Sequence, residues 1–330
     1  MLSRKILAAA IAGSFIAPTM VAADPIDFDF YGSLRLQFEA VNPDEASSYT
    51  GFRDAYSRIG FNANAPIADG VNGFAQLELP LDLANGAVQD PYDNAEDIRI
   101  AKIGVNTDFG TLIYGQDWMP YYNAIAFPVD MFSTYYSGFA TFTSFRLSDS
   151  VIYYSPDFNG LSFGASYSNN WNRAGDDRYQ LTTSYRMGDT VISAGLDDRN
   201  DASGRFWGLS VMHTMGDLYI GAKIELVDND DEGGFFEDGD LAMNLFASYT
   251  VGKNTFKGMI ADVDSFVGTT FHLGVDHDFS DRLTMFAEYY YEDEEGNGAI
   301  PTLKARDGAP LGDAYGGGGT AFAFGARYSF

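Results

Sequence analysis

Along most of this chain, apolar and polar residues alternate with a period of two. In "FDFYGSLRLQFEA", Phe28, Phe30, Gly32, Leu34, Leu36, Phe38 and Ala40 share one face, while Asp29, Tyr31, Ser33, Arg35, Gln37 and Glu39 share the other. "RIGFNAN" sets Ile59, Phe61 and Ala63 against Arg58, Gly60, Asn62 and Asn64. "LSFGASYS" opposes Leu161, Phe163, Ala165 and Tyr167 to Ser162, Gly164, Ser166 and Ser168. Such alternation marks strands whose two faces meet different surroundings. Tight-turn sequences separate them: "PIADG", "NTDFGT", "SPDFNG", "RMGDT", "TMGDL", "TVGKN" and "DFSDR". Longer segments alternate with these turns, among them Val41 to Phe52, Pro80 to Glu96, Gln116 to Ser148, Val227 to Asp240 and Glu292 to Gly319. Seven short turns and eight longer loops predict about sixteen strands, which suits the ~9–11 residues a tilted strand needs to cross a bilayer.

Composition separates two structures that share this pattern. A soluble sandwich turns its apolar face inward, whereas an outer-membrane barrel turns it toward lipid and keeps polar groups inside. Mean hydropathy is −0.14 although 15% of residues are aromatic. That combination arises when only half of each strand meets lipid. The expected fold is therefore all-β: a transmembrane antiparallel β-barrel of sixteen strands, short turns at one end and long loops at the other. Closure leaves no unpaired strand edge in hydrocarbon. The stretch "TAFAFGARYSF" fits the last strand, alternating Phe322, Phe324, Ala326, Tyr328 and Phe330 with small or polar residues. It is expected to pair with "FDFYGSLRLQF" to close the ring.

The start of the sequence adds a compartment. "MLSRKILAAAIAGSFIAPTMVAA" has Arg4 and Lys5, an apolar run from Ile6 to Ala17, and small residues at the end. It reads as a secretory signal peptide over residues 1–23, which leaves residues 24–330 as the exported barrel. The net charge of the whole sequence is −26 and the leader removes two cations, so the exported part is more acidic still. Nucleic acid is excluded as a partner, because it requires basic surface. With no cysteine, stability must come from packing and backbone pairing.

Several ordered motifs resemble the Gram-negative general, non-specific trimeric outer-membrane porins. They are "YGSLRL", "SRIGF", "FAQLE", "RIAKIGVNTDFGTLIYGQ" and "FRLSDSVIYYSPDFNGLSFGASYS". The resemblance implies an outer-membrane location and a homotrimer. It implies a passive diffusion channel for ions and small hydrophilic solutes, with a long third loop folded into the pore. It also implies contact with outer-membrane lipid and lipopolysaccharide, and a C-terminal Phe330 read by the barrel-assembly machinery. In that family a basic wall faces acids across a constriction, and the transverse field orients permeating solutes. Position by position, the resemblance assigns Arg58, Arg99 and Arg146 to the basic wall. Arg35 stands two residues after Ser33, where the family often has Lys. Asp130, Asp117 and Glu78 are assigned to the acidic side.

Two alternatives stay open at this level. Strict alternation places Arg99 with Ala101, Ile103 and Val105, so either a bulge intervenes or Lys102 is the lumen residue. The third loop is aromatic, with Tyr121, Tyr122, Phe127, Phe132, Tyr135 and Tyr136. These rings either pack the loop against the wall or stack on sugar rings. The second reading makes Tyr135 and Tyr136 solute-stacking residues of a saccharide-specific porin.

Other constellations carry less. Asp228 to Asp240 holds seven acids and no Lys or Arg. It is either a solvated outer loop or a divalent-cation contact to lipopolysaccharide phosphates. His213, His272 and His277 lack metal-ligand spacing, "GGGG" at 316–319 precedes a strand, and no Ser/His/Asp constellation is apparent. No enzyme activity, metal or cofactor is expected.

Overall fold

The computed structural model describes residues 26–91, 98–169, 177–199, 204–229, 235–293, 298–302 and 317–330. The expected signal peptide lies outside the described residues, as do residues 230–234 of the acidic stretch. The strands are β1 (Asp27–Pro43), β2 (Tyr49–Asp54), β3 (Ser57–Ala68), β4 (Val71–Leu81), β5 (Ile100–Thr107), β6 (Gly110–Trp118), β7 (Arg146–Tyr154) and β8 (Leu161–Ser168). They continue as β9 (Arg178–Met187), β10 (Thr190–Arg199), β11 (Arg205–Met215), β12 (Leu218–Asp228), β13 (Leu241–Val251), β14 (Asn254–Val263), β15 (Gly268–Ser280), β16 (Leu283–Glu292) and β17 (Gly319–Ser329).

Each strand pairs antiparallel with its neighbours, and β17 pairs with β1 to close the ring. β2 and β3 both pair with β1 and form two halves of one barrel strand, so the barrel has sixteen staves. The break falls at Ala55 and Tyr56, where Tyr56 takes a φ of 68°. The expected loop from Val41 to Phe52 is mostly strand: β1 runs to Pro43 and β2 begins at Tyr49. Val41 explains this, because it is an inward, buried residue registered with Ala321 and Tyr49. The seven tight turns fall where the sequence placed them. Gly188, Gly216 and Gly252 supply positive φ values of 59–60° in three of them, a conformation that costs glycine no Cβ clash.

The predicted faces segregate. Phe28, Phe30, Phe61, Ile103, Leu209, Leu245, Phe322 and Phe324 point outward and are exposed. Gln37, Glu39, Asp197, Glu225 and Glu288 point inward and are buried. An outward apolar band around a polar interior is the inverse of a soluble core, as a lipid surround demands. At the seam, the backbone of Phe330 donates to and accepts from Gly32 at 3.1 and 2.9 Å, and Phe38 packs against Phe324.

Candidate pore constriction

Between β6 and β7 the chain leaves the wall for residues 119–145. A hydrogen bond from Met119 N to Phe145 O, 2.9 Å, closes the neck of this third loop. Its first part is a helical turn over Tyr122–Ala126 followed by Phe127–Val129. Glycines on inward positions make room for this turn. A Cβ on Gly208 would strike Tyr121 and Ile125, and one on Gly221 would strike the Pro128 carbonyl.

The loop is then tied to inward side chains around much of the ring. Gln180 accepts from Tyr121 N at 3.0 Å, Ser210 donates to Ala124 O at 2.6 Å, and Tyr219 donates to Pro128 O at 2.8 Å. Glu288 accepts from Ser133 N and Thr134 N at 2.7 and 3.1 Å, and Glu225 from Thr141 and Phe142 N at 2.9 and 3.2 Å. On β1, Gln37 accepts from Tyr135 N at 2.9 Å and Glu39 from the Tyr136 hydroxyl at 2.8 Å. Asp197 on β10 accepts from the Thr143 hydroxyl at 3.3 Å, and each of these anchoring acids also has a cation: Arg53 for Glu39, Arg178 for Asp197, Lys223 for Glu225, and Lys257 for Glu288. Sequence reasoning missed these anchors. Their signal was an acid at an inward position of β1, β10, β12 and β16.

The other side of the ring carries the basic cluster. Arg35 on β1 is held by the Ser33 hydroxyl at 3.0 Å. Arg58 on β3 lies 3.5 Å from Glu78, and Arg99 lies 2.9 Å from the same carboxylate. Arg146 on β7 sits over the Trp118 ring, 4.6 Å from its centroid. Arg327 on β17, registered with Arg35, joins this wall and was not anticipated. Its position on the inward face of the final strand was the available signal.

The Arg99 question resolves toward both candidates. Arg99 precedes the first residue of β5, so the strand's alternation does not bind it, and it is buried against Glu78. Lys102 also turns inward, with Nζ 2.9 Å from both Asp117 oxygens. A register shift between Gly115 and Asp117 on β6 accompanies the pair.

The acids are placed differently from expectation. Glu78 and Asp117 belong to the basic wall, because β4 and β6 lie between the strands that carry the cations. Asp130 alone of the three comes from the loop. It accepts from the Tyr122 hydroxyl at 2.8 Å and from Ser137 Oγ. Burial raises the Tyr122 phenol well above its usual range and keeps it a donor. Tyr135 and Tyr136 are 0% and 2% exposed. Tyr135 lies parallel to Tyr56 and Tyr136 stacks on Tyr290 at 5.1 Å, so these two rings pack the loop rather than face solutes.

Three cavities follow one another through the barrel. The largest, about 800 Å³, lies toward the long loops and is lined by both the arginines and Asp130. The next, about 510 Å³, shares Arg35, Arg58, Trp118 and Arg327 with it. A third, about 350 Å³, shares Gln76 and Lys102 with the second and reaches Asn106 beside a short turn. The shared residues mark the junctions of one polar path.

A closed barrel with lipid-facing aromatics and a polar axial path defines a channel-forming outer-membrane protein. This chain belongs to the Gram-negative porin family, whose model matches residues 6–297. It is 25% identical to a monosaccharide porin of a Halomonas species, with 90% of this chain and 98% of that protein aligned. Its fold is similar to that of the anion-selective porin from Comamonas acidovorans, with a TM-score of 0.72 at 17% identity and coverage of 93% and 100%. It is also similar to the trimer form of Vibrio cholerae OmpT, with a TM-score of 0.66 at 19% identity and coverage of 93% and 100%. The chain is an outer-membrane porin, a channel rather than an enzyme.

Proposed function

We propose that this porin is a passive diffusion channel for ions and small hydrophilic solutes whose constriction favours anions. One observation carries the reading: Arg35, Arg58, Arg99, Arg146, Arg327 and Lys102 cluster along the axial path against Glu78, Asp90, Asp117 and Asp130. The net charge of −26 opposes this preference. Distance decides between them. Acids on the outer loops are screened beyond a Debye length of about 10 Å at 0.1 M salt, whereas an ion in the constriction passes the guanidinium groups at close range. The third loop, anchored from β9 to β16 and on β1 beyond Arg35, narrows the path and supplies Asp130 as the loop-side acid.

Assembly and export complete the proposal. Residues 1–23 act as a cleaved signal peptide, Phe330 serves barrel assembly, and three copies associate. The trimer form of the OmpT neighbour supports the last point. A saccharide-specific channel is the second reading, favoured by the name of the Halomonas relative. Burial of Tyr135 and Tyr136 speaks against the sugar contacts first expected of it.

The test is a reversal potential. The mature chain, refolded in detergent and inserted in a planar bilayer under a KCl gradient, should show stepwise openings and a potential of the sign that chloride preference gives. A cation-signed potential would reject the constriction as the selectivity element.

A further inference from the structure

The cavity of about 800 Å³ combines two chemistries. Guanidinium groups line one part of it and aromatic rings of the third and outer loops another, and the two meet where Arg146 lies over Trp118. Phe127 of the third loop is 48% exposed into this lumen although it sits on a packed helical turn. Tyr122 links it to Trp118, with centroids 6.4 and 4.7 Å apart. Toward the long loops, Phe142 meets Phe236 at 5.0 Å, and Phe236 meets the exposed Phe235 at 4.9 Å. All six of these rings line the same cavity as Arg35, Arg58 and Arg327.

We propose that this cavity is a binding site for aromatic monocarboxylates, which load there before crossing the constriction. The inference rests on the anion-favouring porin reading above and names the solute class of that same path. Tyr122 and Phe142 are buried behind the surface, while Trp118, Phe127, Phe235 and Phe236 are at least partly exposed, and such rings in an aqueous lumen gain by covering with a flat apolar body. A guanidinium within the same space offers a forked pair of donors that matches a carboxylate. Among the described residues, Arg35 and Arg327 are held by the hydroxyls of Ser33 and Thr284, not by carboxylates, so their charge is open to a solute. A neutral sugar would use the rings and leave the cations uncompensated. A small hydrated anion would use the cations and leave the rings wet. A benzoate-like solute satisfies both faces at once.

The test uses the full mature porin in planar bilayers, with sodium benzoate, sodium gluconate and glucose as probes of the KCl current. The expected result is that benzoate reduces the current at concentrations where gluconate, of equal charge, and glucose do not. In Phe127→Ala the half-blocking concentration of benzoate should rise roughly twofold to tenfold, the worth of one aromatic contact. Phe236→Ala should act in the same direction at the outer end of the cavity, and it guards against a folding defect in either variant. Equal block by gluconate would overturn the proposal in favour of charge alone. Equal block by glucose would overturn it in favour of a saccharide site. Benzoate block unchanged in both variants would also overturn it. Failure of the underlying porin reading shows earlier and separately, as absent or cation-selective KCl current before any probe is added.

Discussion

The two halves of the barrel interior use charge in opposite ways. On the half formed by β9 to β16, inward acids such as Asp197, Glu225 and Glu288 are each paired with a cation. Glu225 and Glu288 also accept backbone N–H groups of the third loop. Their charge is spent on structure, and solutes do not meet it. On the half formed by β17, β1 and β3 to β7, Glu39 is paired with Arg53 beneath the loop, but among the described residues Arg35 and Arg327 are bonded to hydroxyls rather than carboxylates, and Arg35, Arg58 and Arg327 line both larger cavities. Residue type therefore does not distinguish a selectivity charge from a structural one. What distinguishes them is whether the loop covers the charge.

The largest expected effect is on the covered half. Glu288→Ala would leave buried Lys257 with Asp276 as its remaining ion-pair partner among the described residues and strip acceptors from Ser133 N and Thr134 N. Removing one member of a buried ion pair costs about 3–5 kcal/mol. The heat-modified mobility of the folded protein should drop to clearly lower temperature, and single-channel current noise should rise as the loop loosens. If stability and noise are both unchanged, Glu288 is not an anchor.

Next is the open half. Arg58→Ser with Arg146→Ser should move the reversal potential toward cations without a comparable loss of stability. Arg178→Ser, on the covered half, should cost stability and leave the potential nearly where it was. Equal shifts from both sides would erase the distinction between the halves. A smaller effect is expected from Glu78→Gln, which releases Arg58 and Arg99 from their shared carboxylate. Chloride preference should increase, and a decrease would mean that Glu78 holds the two guanidinium groups in the path.

The smallest effect concerns Tyr136. Its hydroxyl donates to buried Glu39, so Tyr136→Phe should cost about 1.5–3 kcal/mol, the range for a bond to a charged group, with selectivity unchanged. Burial raises this phenol and that of Tyr122 well above the ordinary value. The folded state holds protons that the unfolded chain releases near pH 10. This contribution is fully present below about pH 10 and is lost as pH rises beyond it. Chemical unfolding followed between pH 8 and 11 checks the sign.

Much of the barrel was legible because its determinants are local. Period-two alternation tells which side chains meet lipid, and a charge at the lipid midplane costs about 2–4 kcal/mol, so Arg35 and Arg58 had to point inward. Turn sequences with glycine fixed the hairpins because a positive φ is a property of one residue. Arg99 was ambiguous because alternation holds only within a strand, and Arg99 lies one residue before β5.

The sequence by itself thus determined a closed β-barrel, its inside and outside, its short-turn end and most of its inward cations. Only the tertiary structure decided which inward charges face the path. Asp117 and Glu78 look like Asp130 in sequence, yet they sit beside Lys102 and Arg99 on the basic wall. Tyr135 and Tyr136 look like Phe127, yet they are buried while Phe127 is open. The reason is that the third loop meets strands far away in the chain, such as β16, 155 residues on at the Ser133–Glu288 contact. Exposure there is set by that long-range docking, and no local pattern of residues encodes it.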